Sequence, residues 1–123
     1  MYKVSKRIEI SAMHKLDLDY ISPCTQNHGH NWIITVTISG TELNNNGMIF
    51  DFKQIKDFIH EKMDHKNLNE VFSFNPTAEN IAKWVAEEID SRLNLMNAFN
   101  TVCSKVVVQE SEGNIAEWSR DNG

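Results

Sequence analysis

The twelve residues from His28 to Ser39, HGHNWIITVTIS, constrain the fold more than any other part of the chain. The segment is rich in β-branched residues, which suit a pleated, half-buried surface. Alternation places His28, His30, Trp32, Ile34, Val36 and Ile38 on one face. Such a strand must be covered along its apolar part, and its two histidines need partners for their ring nitrogens. Residues 4–14 repeat the pattern: Ile8, Ile10, Ala12 and His14 share a face, and this run also ends in a histidine.

The rest of the chain supplies what covers these strands. Residues 15–27 contain Pro23 and many polar side chains and read as a long functional loop. The run NNNG ending at Gly47 is a turn signal. In DFKQIKDFIHEKM, Phe52, Ile55, Ile59 and Met63 fall at helical spacing, with Asp51 as N-cap. A second helix is expected after NPTAEN, capped by Thr77 and carrying Ile81, Val85 and Ile89 on one stripe. TVCSKVVVQE reads as a strand with Val102, Ser104, Val106, Val108 and Glu110 on one face, and a further short strand is placed at residues 47–50 or at the C-terminus. Strands and helices segregated in this way predict an α+β fold, an antiparallel sheet with two helices on one face.

At 123 residues one domain spanning 1–123 is expected, and 41% hydrophobic content excludes a disordered chain. The net charge of -5 argues against a nucleic-acid surface. No apolar run approaches the ~20 residues of a membrane span. The start, MYKVSKRIEIS, has no signal-peptide core. The reading is a cytoplasmic protein with Cys24 and Cys103 as free thiols.

His28 and His30 project from one strand face at a spacing that lets two imidazoles reach one ion, with Gly29 leaving room between them. Catalytic zinc typically takes three protein ligands, and His14, in phase on the partner strand, is the third. The alternative is a set of hydrogen-bonded histidines without a metal. Cys24 is either a fourth, structural zinc ligand or an accessible catalytic thiol, for which the Asp64–His65 pair is the candidate base. Glu110 ends an otherwise apolar strand face; by composition alone it is a solvated strand end. His60 reads as a solvated helix residue, Trp32, Trp84 and Trp118 as packing, and Cys103 as a small buried side chain.

Six pieces in order, SAMHKL, CTQNHGHN, GMIFDF, MDHKNLN, NPTAEN and VVVQES, resemble the 6-pyruvoyltetrahydropterin synthase / 6-carboxytetrahydropterin synthase family along nearly the whole chain. The resemblance implies the T-fold (tunnelling fold), with subunit sheets closing into a barrel, usually as a homohexamer, and active sites at subunit interfaces. It implies Zn2+ held by His14, His28 and His30, proton transfer by Cys24 with Asp64 and His65, a pterin ring anchored by Glu110, and Thr77 in the substrate pocket. Glu110 then changes from solvated strand end to ligand anchor, and IAEWS becomes the candidate for the last strand. Trp32 and Ser111 depart from the family's commoner residues without touching the metal or proton-transfer set.

The substrate implied is 7,8-dihydroneopterin triphosphate, a small-molecule partner, and neither nucleic acid nor membrane is expected. Only Thr25, Gln26 and Asn27 separate Cys24 from His28, which resembles the branch that forms 6-carboxytetrahydropterin for 7-deazaguanine and queuosine synthesis. The alternatives are the 6-pyruvoyl product, a non-catalytic zinc protein and a three-histidine zinc hydrolase.

Overall fold

The two alternating segments pair with each other and form the centre of the sheet. In the computed structural model, which describes residues 1–96 and 100–120, β1 (Tyr2–His14) runs antiparallel to β2 (His28–Gly40). The register sets Ile8 opposite Ile34, Ile10 opposite Trp32, Ala12 opposite His30, and His14 opposite His28. Residues directly opposite share a face. The apolar rows of both strands, and the histidines that end them, therefore lie on the same side.

The chain continues through α1 (Phe52–Met63), a two-residue strand β3 (Lys66–Asn67), a single turn α2 (Leu68–Val71), α3 (Ala78–Leu95), β4 (Thr101–Ser111) and β5 (Asn114–Ser119). The sheet order is β3-β1-β2-β4-β5, antiparallel except for β3 beside β1. This is the expected α+β arrangement, with the IAEWS strand present as β5. It has one helical turn, α2, that periodicity did not indicate.

The helices cover the face bearing Ile8, Ile10, Ile34, Val36, Val106 and Val108. α1 presents Ile55, Phe58, Ile59 and Met63, and α3 presents Ile81, Val85, Ile89 and Leu93. Each such side chain contributes about 1.5–3 kcal/mol relative to exposure. Asp51 caps α1, its carboxylate accepting from Lys53 N–H at 2.9 Å. Thr77 caps α3, its hydroxyl accepting from Asn80 N–H at 3.1 Å. Phe52, expected inside, is 38% exposed because it begins α1 beyond the sheet, in an open groove with Tyr2, Leu43 and Met48.

Two further expectations are corrected. Residues 47–50 form no strand: Asn44 Oδ1 accepts from the N–H groups of Asn46 and Met48, Gly47 takes φ 78°, and Ile49 and Phe50 turn into the core. On β4 the inward face changes phase. Thr37 pairs with Lys105 but Ile38 pairs with Cys103, so Ser104 is an extra residue in a bulge. Cys103 is therefore buried while Val102 is 38% exposed, and the Ser104 hydroxyl is taken up by Ser39 at 2.8 Å.

The edges of the sheet are uneven. β3 pairs with β1 only at Ala12 and Met13. Just above, Ser11 N–H donates to Asp64 Oδ1 at 2.9 Å and Ser11 O accepts from His65 N–H at 2.6 Å. Among the described residues, no strand pairs with the outer edge of β1 before Ala12, nor with the outer edge of β5.

Candidate metal centre and adjoining cleft

His14 ends the inward face of β1 with no exposed surface. Its Nδ1 lies 2.8 Å from the Pro76 carbonyl oxygen, which can only accept, so Nδ1 carries the proton and Nε2 presents a lone pair. His28 Nδ1 is held in the same way by the Gln26 carbonyl at 2.7 Å. The ring centroids of His14 and His28 are 4.5 Å apart, those of His28 and His30 4.6 Å, and those of His14 and His30 5.5 Å. Trp32 forms the floor: its ring packs edge-on against His14 and His30, and its Nε1–H donates to Ala12 O at 3.2 Å.

The Nε2 atoms of His14 and His30 are buried and lack any hydrogen-bond partner. Buried polar atoms are rarely left so, and a ligand is one cause. Burial also holds the His14 imidazole below its ordinary pKa, against smaller opposing effects of the Pro76 carbonyl and Glu110, and so favours the neutral form that ligates metals. One ligand atom from each of His14, His28, His30 and Glu110 lies within 4.8 Å of the others. Fixed tautomers, unpartnered lone pairs and this convergence fit a transition-metal ion, and nitrogen-rich sites of this kind suit zinc.

Glu110 reaches this group from the inward face of β4, in phase with Val106 and Val108. Gln109 pairs with Ile115 and Ser111 with Asn114, so Glu110 is itself the extra residue of a second bulge. Bulges are common beside active sites. Its Oε1 lies 3.1 Å from His30 Nε2 and 3.8 Å from His14 Nε2, with the side chain 20% exposed. It is not the solvated strand end that composition alone favoured.

Cys24 lies in a single 3-10 turn, Pro23–Thr25, capped by the Ser22 hydroxyl. It lines an open cleft of about 480 Å³ with Glu110, Ala78, Glu79 and the β5 residues Asn114–Glu117. It is partly exposed and is not among the converging ligands, so the described residues do not assemble the His-His-His-Cys site. Glu79 and Glu117, which sequence patterns did not single out, add two carboxylates to the cleft. Thr77 does not line it; the Thr77 hydroxyl is used as the α3 cap, and its neighbour Ala78 forms the wall.

Asp64 and His65 are not beside Cys24. His65 lines a different cleft, with Ser11, Ala12, Met13, Gly29, His30 and Asn31. Of these, Ser11, Met13, Gly29 and Asn31 alternate with Ala12, His14, His28 and His30 and turn to the opposite face of the sheet, so the cleft sits at the end of the sheet and borders both faces. His65 takes the left-handed φ of 58° and leaves its imidazole side chain 82% exposed, 3.6 Å from Asp64 Oδ2. Gly29 also has a different setting from the one expected: a Cβ there would meet nothing within 4 Å, so its lack of a side chain does not serve the packing of the histidine pair.

Residues 3–121 match the family model described as 6-pyruvoyl tetrahydropterin synthase. The chain is 28% identical over 117 residues to the 6-carboxy-5,6,7,8-tetrahydropterin synthase of Bacillus subtilis (strain 168), spanning 89% of this chain and 80% of that protein. It is 39% identical over 69 residues to the dihydroneopterin monophosphate aldolase of Pyrococcus furiosus, across 54% of this chain and 58% of that one. The 6-pyruvoyl tetrahydropterin synthase structure from Caenorhabditis elegans superposes with a TM-score of 0.76 at 24% identity, covering 98% of this chain and 96% of that one.

Proposed function

Because the chain belongs to the 6-pyruvoyl tetrahydropterin synthase family, we propose that it is a zinc-dependent lyase converting 7,8-dihydroneopterin triphosphate and water to 6-carboxy-5,6,7,8-tetrahydropterin, acetaldehyde and triphosphate. The observation that carries this reading is the convergence of His14, His28 and His30 beside a cleft lined by both Cys24 and Glu110. Zinc bound there would supply Lewis acidity to the hydroxyls of the substrate side chain. Glu110 accepts the ring N–H donors and fixes the pterin in the cleft, a charge-assisted contact a neutral residue cannot match. Cys24, on the cleft wall, takes and returns protons at the side-chain carbons next to the ring.

Asp64 and His65 serve the site of a neighbouring subunit. His65 is exposed beside the edge of β1, in a cleft that does not include Cys24, and its backbone is held to Ser11. The Asp64 carboxylate, 3.6 Å from the ring, stands beside it as a partner for proton transfer. Open edges at β1 and β5 need covering, which favours closure of several sheets into a barrel, with a homohexamer as the assembly. The cellular setting that goes with this reaction is the cytoplasm, in 7-deazaguanine and queuosine synthesis. Among the described residues, no helix is long and apolar enough to cross a membrane.

Incubating the zinc-loaded protein with 7,8-dihydroneopterin triphosphate and identifying products by mass spectrometry tests the reading. Acetaldehyde with the 6-carboxy pterin is expected. A 6-pyruvoyl product without acetaldehyde, or simple cleavage of the side chain as the aldolase relative's name implies, would assign a different reaction to the same site.

A further inference from the structure

We propose that Glu110 is the fourth protein ligand of the metal when no substrate is present, and that a pterin ring draws this carboxylate off the ion. The inference deepens the functional reading above and rests on it. A tetrahedral zinc ion with ligands at about 2.0–2.1 Å holds its ligand atoms about 3.3–3.4 Å apart. Glu110 Oε1 is already 3.1 Å from His30 Nε2 and 3.8 Å from His14 Nε2. Small side-chain adjustments complete the tetrahedron.

The placement of Glu110 and its contacts favour ligation over a role confined to ring anchoring. Glu110 continues the inward row of Val106 and Val108 on β4, the side of the sheet that carries the histidines. Its only ion-pair contacts among the described residues are with His14 and His30. A mostly buried carboxylate that converges with three imidazoles on one point is a donor set that a divalent cation completes. Cys24, the other thinkable fourth ligand, is outside the converging set.

The consequence is a coupling between ring recognition and metal access. With Glu110 on the metal, the three histidines and the carboxylate fill all four positions. When ring N–H donors compete for the carboxylate, it leaves, and a position opens for the substrate hydroxyls. Only a molecule carrying both a pterin ring and hydroxyls then reaches an open ion, which is discrimination by an exchange of ligands rather than by pocket shape alone.

The test uses the intact protein, Glu110→Gln, Glu110→Ala and, as control, Cys24→Ala. Zinc affinity is measured by competition with a chromogenic chelator, and geometry from the visible absorption of the Co2+-loaded forms; circular dichroism verifies folding. Both Glu110 variants are expected to bind zinc at least about tenfold more weakly than wild type, with Cys24→Ala unchanged. Neopterin, which has no triphosphate, should shift the Co2+ spectrum of wild type but not that of Glu110→Gln. Folded Glu110→Gln with wild-type zinc affinity and spectrum would overturn the inference even if wild type forms the 6-carboxy product. Weakened zinc binding in a protein that forms no pterin product would keep Glu110 as ligand and remove the functional reading instead.

Discussion

The Pro76 carbonyl oxygen receives the Nδ1–H of His14 at 2.8 Å, tying the segment before α3 to the last residue of β1. That contact fixes both the tautomer and the aim of the ring. Each of His14→Ala, His28→Ala and His30→Ala should lose stoichiometric zinc. His60→Ala, on α1 outside the converging set, should keep it. Metal analysis of the purified variants decides, and a full zinc complement in His14→Ala would remove it as a ligand.

The two thiols should differ sharply. Cys103 is buried, and desolvation, reinforced by the Asp90 carboxylate, pushes its pKa to about 12, so almost no thiolate exists near neutrality. Cys24 is partly exposed on the cleft wall. One equivalent of thiol per chain should react with a disulfide reagent at pH 8 in native protein, and two in denaturant. In Cys24→Ala the native count should fall to zero, with zinc retained and turnover abolished. Rapid native labelling of Cys103 would contradict the packing around β4.

Thr77 should prove to be a stability residue rather than a substrate contact. Its hydroxyl closes the first turn of α3, and loss of such a cap costs about 1 kcal/mol. Thr77→Ser should restore what Thr77→Ala loses in a denaturant titration. A large rise in KM for Thr77→Ala with unchanged stability would return the residue to the substrate pocket.

What was legible in the sequence was what burial alone controls. Period-two alternation in β1 and β2 follows from one covered face, and it puts His14, His28 and His30 in phase on that face. The inward face of β4 was misread at Val102 and Ser104 because a bulge depends on the partner strand's register, which local residues do not encode. Glu110 keeps the alternation of Val106 and Val108, so its face was legible, but its contact with histidines on two other strands was not. The separation of Asp64 and His65 from Cys24 was hidden for a different reason. It is set by contacts to Ser11 more than fifty residues away, |i−j| being 53 for Ser11 to Asp64. The family resemblance named these residues without saying where on the sheet they stand.

That separation gives the last prediction. If Cys24 of one subunit works with His65 of another, neither Cys24→Ala nor His65→Ala should be active alone, but a mixed assembly should recover activity. In randomly reassembled equimolar subunits, a site draws an intact Cys24 from half the chains and an intact His65 from the other half. About one quarter of sites then hold both, so recovery should approach about 25% of wild type. Mixing must follow denaturation and refolding, or co-expression, because preformed homo-oligomers would not exchange. Recovery near that value supports a site shared between subunits. Complete inactivity of verified mixed oligomers, with zinc present, would mean that Cys24 and His65 act within one chain; activity in either variant alone would mean that the residue it lacks plays no part.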